Sequence, residues 1–243
     1  MSKPRISPAD RLIVALDVPT ADEARQLVKR LDGVVSFFKI GMILHTACGL
    51  ELVKWLVVGG KKVFLDLKFF DVRQTVKGAV AQVADLGATF LTIHGNREII
   101  EGAVEGRGTS DLKLLAVTVL TNLDADDIRD LGFPVSVEEL VLHRVRSAVN
   151  SGCDGVVSSP NEVAAIRKAV GQEPIVVTPG IRPRSSAPDE QKRIATPHDA
   201  ILSGSDYLVV GRPIRTTPDP REAALAIIDE MERASRELVK EAG

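Results

Sequence analysis

Residues Leu16 to Ala24 read LDVPTADEA, overlapping the end of the apolar run LIVALD at Leu12–Asp17. In a doubly wound, dinucleotide-binding sheet this is where a Gly-rich GxGxxG turn stands. No glycine occurs here. Instead the apolar run ends in Asp17, and Thr20 precedes Glu23 at the spacing of a helix capping box. The first unit reads as a strand, a short turn and a helix, with a carboxylate left at the strand end.

Outward from this unit the pattern repeats. Short apolar, β-branched runs recur as VVSFFKI, VFLDLK, TFLTIH, LLAVTVLT, GVVSS, IVVTPGIR and YLVVGR. Continuous rather than alternating apolar runs point to strands covered on both faces, as in a parallel sheet. Helical segments lie between them. Ser136 with Glu139 repeats the capping-box spacing, and Ser159-Pro160 and Asp219-Pro220 put proline at a first helical position. Amphipathic stretches follow, such as EARQLVKRL and VEELVLHRVRSAV. The pattern predicts eight strands alternating with about eight helices, with no linker-like or low-complexity break. A single (β/α)8 barrel spanning 1–243 is the predicted fold, with the active site at the C-terminal ends of its strands.

Composition narrows the function. The formal net charge of −2 and the lack of a long basic run argue against nucleic acid or an anionic membrane as partner. Cys48 and Cys153 have neither CxxC nor metal-type spacing. The stretch MSKPRISPADR lacks the apolar core of a signal peptide, and no apolar run is long enough for a bilayer. A cytoplasmic protein is expected.

Each predicted strand ends in a polar or charged residue: Asp17, Lys39, Asp66 with Lys68, His94, Thr121, Ser158, Arg182 and Arg212. A barrel brings all these ends to one face. The densest cluster is VFLDLKFFDV, Val63–Val72, where Asp66, Lys68 and Asp71 close an apolar run. Ionised groups at the end of a core strand are costly unless paired. Asp66 and Lys68, two apart on a strand, share a face. A structural ion pair is one reading. Lys39 at another strand end favours a second, a Lys-Asp-Lys-Asp array in which alternating charges keep one another ionised. Such a lysine is a fixed cation and proton source rather than a neutral Schiff-base amine.

Near the end of the chain, Gly180 with Arg182 and Gly211 with Arg212 close the last two strands. Barrels often bind phosphate at the loops after strands seven and eight, and arginine grips its oxygens bidentately. Between these loops, RPRSSAPDEQKRIATPHDA is long and polar, the signature of a mobile lid. Asp17 suits sugar hydroxyls or a helix cap, and Thr121 suits a polar ring edge or a strand. His94 suits a satisfied position at the core edge; a zinc site is not expected. Trp55 and Tyr207 read as packing.

In order and spacing, LIVALDV, FFKIGM, FLDLKFFDV with QTV, LLAVTVLT, VTPGIRP, DEQKR with ATP, and YLVVGRPI resemble the motifs of the orotidine 5'-phosphate decarboxylase family. The resemblance runs from about Arg11 to Ile214. DxKxxD alone belongs to a wider barrel superfamily; Lys39, Gln191 and Gly211-Arg212 sharpen it. It implies conversion of orotidine 5'-monophosphate to uridine 5'-monophosphate and carbon dioxide, the last step of pyrimidine synthesis, without metal or organic cofactor. By the same resemblance Lys68 is the proton donor to C6, Asp66 lies beside the departing carboxylate, and Lys39 and Asp71 complete the array. Asp17 and Lys39 are implied ribose contacts and Thr121 a pyrimidine contact. Arg182, Gln191, Gly211 and Arg212 are implied phosphate-side and lid residues. A homodimer with shared active sites is also implied, Asp71 and Thr75 coming from the partner subunit.

The chain departs from the family's frequent HDIPNT at Phe70, Val72, Arg73 and Gln74, while Asp71 and Thr75 remain. Metal-dependent sugar-phosphate decarboxylases and aldolases of the superfamily are the nearest alternative; those relatives carry a glutamate where Lys39 stands. A catalytically silent phosphate-binding barrel is an alternative of another class.

Overall fold

The computed structural model describes residues 6–183 and 194–241. Its eight strands are β1 (Leu12–Ala15), β2 (Phe37–Gly41), β3 (Lys62–Phe69), β4 (Phe90–His94), β5 (Lys113–Val117), β6 (Gly155–Val157), β7 (Ile175–Thr178) and β8 (Tyr207–Val210). They pair in parallel in chain order, and β8 closes on β1 through Leu12–Leu208 and Val14–Val210. The closed (β/α)8 barrel read from the missing glycine turn is the observed architecture.

The continuous apolar runs divide by the two-residue period of a strand. Leu12, Val14, Phe38, Ile40, Val63, Leu65, Leu91 and Ile93 face outward, in the layer under the helices. Ile13, Phe37, Phe64, Phe90, Leu115, Val177 and Val209 face inward. The inner space is filled chiefly by rings. Phe90 meets Phe37 and Tyr207 with centroids 5.0 Å apart, and Phe64 at 5.9 Å. Edge-to-face rings at these distances pack densely, so the barrel is a plug and not a pore. Tyr207 is therefore a packing residue, as expected. Trp55 is a surface residue instead, 36 % exposed beneath the Arg25 guanidinium.

Helix starts follow the predicted caps. Ser136 and Glu139 form a reciprocal capping box, and the Thr20 hydroxyl accepts the Glu23 N–H. Asp219 accepts the N–H groups of Arg221 and Glu222 at the head of the helix Pro220–Glu241. Helices exceed the expected eight because short ones sit at turns, including Pro8–Arg11, Ala125–Asp130 and Arg212–Arg215. Gly49, at φ 58°, also separates two helices between β2 and β3, Met42–Cys48 and Glu51–Val58.

The helices Arg73–Asp85 and Arg97–Arg107 touch backbone to backbone. A Cβ on Gly102 would lie 2.6 Å from the Arg73 carbonyl oxygen, and one on Gly106 2.2 Å from that of Lys77. Only glycine permits this approach. Arg73, one of the departures from the family motif, crosses the seam to Glu98, Glu101 and Glu105. It is engaged within its own chain.

Candidate active site

The mouth of the barrel is built by carrying the same period one step further. Phe37, Phe64 and Phe90 point inward; two residues later on the same faces stand Lys39, Asp66 and Thr92. Polar groups thus rest directly on the aromatic plug. Lys39 is 7 % and Thr92 0 % exposed, so their partners matter.

Those partners form a chain. Lys39 Nζ donates to Asp17 Oδ1 at 3.0 Å and lies 3.6 Å from Asp66 Oδ2. Lys68 Nζ donates to Asp66 Oδ1 at 2.8 Å, and the Thr92 hydroxyl donates to the same oxygen at 3.0 Å. Burial pushes the Asp66 carboxyl up, but the Lys39 and Lys68 charges and the hydrogen bonds from Lys68 and Thr92 outweigh it. The net position is below the ordinary carboxylate value.

Lys68 reaches Asp66 by an irregular route. The β3–β4 register shifts between Leu65 and Phe69, and Lys68 has φ 51°, the one positive φ on a non-glycine among the described residues. Regular strand geometry, the basis of the expectation, does not hold here; a bulge re-aims the lysine into the mouth. A left-handed lysine costs about 1–3 kcal/mol. Thr92 Oγ1 accepts the Lys68 N–H at 2.9 Å and holds that conformation.

A cleft of ≈ 330 Å³ opens above this chain, within the size range of small-molecule sites. Asp17, Lys39, Asp66 and Lys68 line one side, and Gly180, Arg182, Gly211 and Arg212 the other; Val117, Val119, Leu120 and Thr121 contribute an apolar wall with one hydroxyl. Asp17, Thr121, Ser158 and Arg182 lie beyond the strands, and Arg212 opens the short helix Arg212–Arg215, rather than standing at strand ends. Gln191 and most of the predicted lid fall outside the described residues.

Asp71 and Thr75 are exposed and do not line this cleft. Asp71 Oδ1 accepts the N–H of Val72 at 2.7 Å, and Thr75 is in the first turn of the helix Arg73–Asp85. Phe70 and Val72, which flank Asp71 in the chain, and Met42 and Ile43, which follow β2, are each more than 60 % exposed. Phe70 stands edge-on to His94, centroids 4.7 Å apart. Burial, then the charges of Arg144 and Lys68, lower the His94 pKa and favour the neutral ring. Ser158 does not line the cleft; it is buried and its hydroxyl donates to Glu162 Oε2 at 3.1 Å.

Two residues of this arrangement escaped the sequence reading. Thr92 was accessible in principle, since it stands two after the inward Phe90. Gly41 was not. A Cβ there would lie 3.0 Å from both Asp17 Oδ1 and Lys39 Nζ, so the glycine leaves room for that ion pair, a three-body fact with no local signature.

Among the described residues no group of three or more His, Cys, Asp or Glu side chains is placed to hold a metal ion, and no helix is long and apolar enough to cross a membrane.

The sequence matches the family described as Orotidine 5'-phosphate decarboxylase / HUMPS over residues 10–227. A relative from Bradyrhizobium diazoefficiens, named orotidine 5'-phosphate decarboxylase, is 52% identical over 96% of this chain and 99% of its own. One of the same name from Methylococcus capsulatus is 52% identical over 92% and 93% of the two chains. The crystal structure of orotidine 5'-phosphate decarboxylase from Lactobacillus acidophilus superposes with a TM-score of 0.82 at 37% identity, covering 91% of this chain and 99% of that one.

Proposed function

The chain belongs to the Orotidine 5'-phosphate decarboxylase / HUMPS family and is one of its decarboxylases, and from that premise we propose how its cleft performs the reaction. The substrate is orotidine 5'-monophosphate and the products are uridine 5'-monophosphate and carbon dioxide, a step of pyrimidine synthesis. The observation that carries this reading is the alternating chain Asp17–Lys39–Asp66–Lys68 facing guanidinium groups across one small cleft.

Arg182 and Arg212, with the backbone at Gly180 and Gly211, take the phosphate. Asp17 and Lys39 take the ribose hydroxyls. The ring lies against Val117, Val119 and Leu120, with Thr121 at its polar edge. This directs C6 and its carboxylate toward Asp66 and Lys68.

Breaking the bond between C6 and the carboxylate carbon leaves an electron pair in the plane of the ring, where the ring carbonyls delocalise it poorly. A preorganised ammonium beside the developing charge answers that need. Lys68 supplies this field and then its proton, so that C6 gains hydrogen as carbon dioxide departs. Asp66, held ionised and triply partnered, fixes the Lys68 ammonium and crowds the substrate carboxylate. Binding energy from the remote phosphate drives desolvation of the ring. The chemistry requires no metal, and Lys39 stands where metal-dependent relatives carry a glutamate.

The working unit is a homodimer with shared sites, acting in the cytoplasm, each cleft receiving Asp71 and Thr75 from the partner subunit. The exposed apolar residues Phe70 and Val72 on either side of Asp71, with Met42 and Ile43 after the neighbouring strand β2, support this, because apolar exposure of this kind marks association surfaces. The reaction is tested by adding orotidine 5'-monophosphate in the presence of EDTA and following the pyrimidine absorbance. Turnover undiminished by chelator is expected. No loss of substrate would refute the decarboxylase reading, and loss abolished by chelator would refute the metal-free one.

A further inference from the structure

Arg215 takes no part in the reaction steps assigned to the cleft. It lines the same cleft as Arg182 and Arg212, yet its Nε is buried and meets no hydrogen-bond partner. Among the described residues no carboxylate pairs with it. A buried unsatisfied N–H is uncommon in folded proteins, and on a guanidinium the penalty is larger than on a neutral donor.

The backbone at Arg215 is held in place. It closes the one-turn helix Arg212–Arg215, its own N–H bonds the Gly211 carbonyl at 2.9 Å, and the wholly buried Ile214 anchors that turn. Arg212 and Arg215 are three apart, a spacing that puts two side chains side by side on a helix. Two guanidinium groups so placed repel each other. An anion between them turns the repulsion into attraction, and a turn of the Arg215 side chain toward it gives the orphan donor a partner. The far side of the cleft, where Asp17 and Asp66 stand, already has its charges matched by Lys39 and Lys68.

We propose that Arg215 is a second phosphate-gripping arginine: its guanidinium, turned from the cleft wall as the nucleotide binds, donates to the phosphate monoester of the substrate alongside Arg212. This rests on the nucleotide reading of the site and adds a binding residue to it. The dianion is then held from two directions by forked donors, a geometry that lysine cannot reproduce.

The test uses uridine 5'-monophosphate, uridine and inorganic phosphate as calorimetric probes on the full chain, with Arg215→Ala and Arg215→Lys. Arg215→Ala should weaken uridine 5'-monophosphate and inorganic phosphate by about 10- to 100-fold, the worth of a charged hydrogen bond. Uridine binding should stay unchanged, and Arg215→Lys should recover part of the loss by restoring charge without the fork. With orotidine 5'-monophosphate the variant should show its loss mainly in KM. Phosphate-probe affinities within about twofold of the parent would overturn the assignment. Equal loss for uridine, with a lowered Tm and no recovery in Arg215→Lys, would make Arg215 structural and overturn it equally. Should the parent bind both phosphate probes but not decarboxylate, the assigned reaction fails while the grip of Arg215 stands. Should the parent bind neither, both fall.

Discussion

The backbone N–H of Lys68 donates to the side-chain oxygen of Thr92, 2.9 Å away across β3 and β4, where the regular pairing of the two strands breaks. That oxygen also carries its own hydrogen to Asp66. One buried hydroxyl thereby holds both the strained backbone of the lysine and the carboxylate that aims it.

Thr92→Val keeps the shape of the side chain and removes both bonds. Leaving the Lys68 N–H and an Asp66 lone pair unsatisfied should lower stability by about 1–3 kcal/mol. Turnover should fall with little change in KM, because the lysine loses its aim and not its substrate. Thr92→Ser should retain most activity. Denaturant melts and steady-state kinetics check both, and a Thr92→Val enzyme with parental kcat would remove Thr92 from the mechanism.

Lys68→Ala should abolish turnover in a protein that remains folded. Losing a positioned acid and its field removes several kcal/mol of barrier lowering, roughly 10³-fold or more in rate. Circular dichroism and a turnover assay together decide it; near-normal turnover would end the proton-donor role.

Arg212→Ala acts at the other end of the cleft. A large fall in kcat/KM is expected for the nucleotide, with little change for the unphosphorylated nucleoside, which has no phosphate to lose. If both substrates lost equally, Arg212 would be structural.

Asp71 lies outside the cleft of its own chain, so the shared-site proposal can be tested by mixing. Lys68→Ala and Asp71→Ala are each expected to be nearly inactive. After random subunit exchange about half the dimers are mixed, and one site of each mixed dimer carries neither lesion. Activity should climb toward roughly a quarter of the parental value at the rate of exchange. Demonstrated exchange without recovery would place Asp71 at work within its own chain.

A pH effect is expected far from the chemistry. His198 Nε2 meets Glu237 Oε2 at 3.0 Å, joining the helices Pro197–Leu202 and Pro220–Glu241. The bond to Glu237, with a smaller contribution from Asp199, raises the histidine pKa above its ordinary 6.5. A raised folded-state pKa contributes stability that is complete below about pH 6.5 and disappears as pH rises through the folded value. Comparing Tm of the parent and His198→Asn from pH 5.5 to 8.5 should show a gap at the acid end that closes at the alkaline end. A gap independent of pH would show that the imidazolium contributes nothing.

Much of the barrel was written locally. A missing glycine turn, recurring apolar runs and side-chain caps are properties of a few consecutive residues, and backbone propensity and burial act at that range. So the strand count, the closed architecture and the assembly of Asp17, Lys39, Asp66, Lys68, Arg182 and Arg212 at one mouth could be read from the order of residues. What Arg73 does could not, because its partners Glu98, Glu101 and Glu105 lie on another helix. The left-handed turn at Lys68 depends on a hydroxyl in the neighbouring strand, and the space for the Asp17–Lys39 pair depends on a glycine that touches both. Nothing in the local sequence marks Arg215, whose buried Nε has no hydrogen-bond partner in the cleft wall. Local sequence determined which charges gather at the mouth; only the tertiary structure decided how they are aimed, because burial and hydrogen-bond geometry arise between segments far apart in the chain.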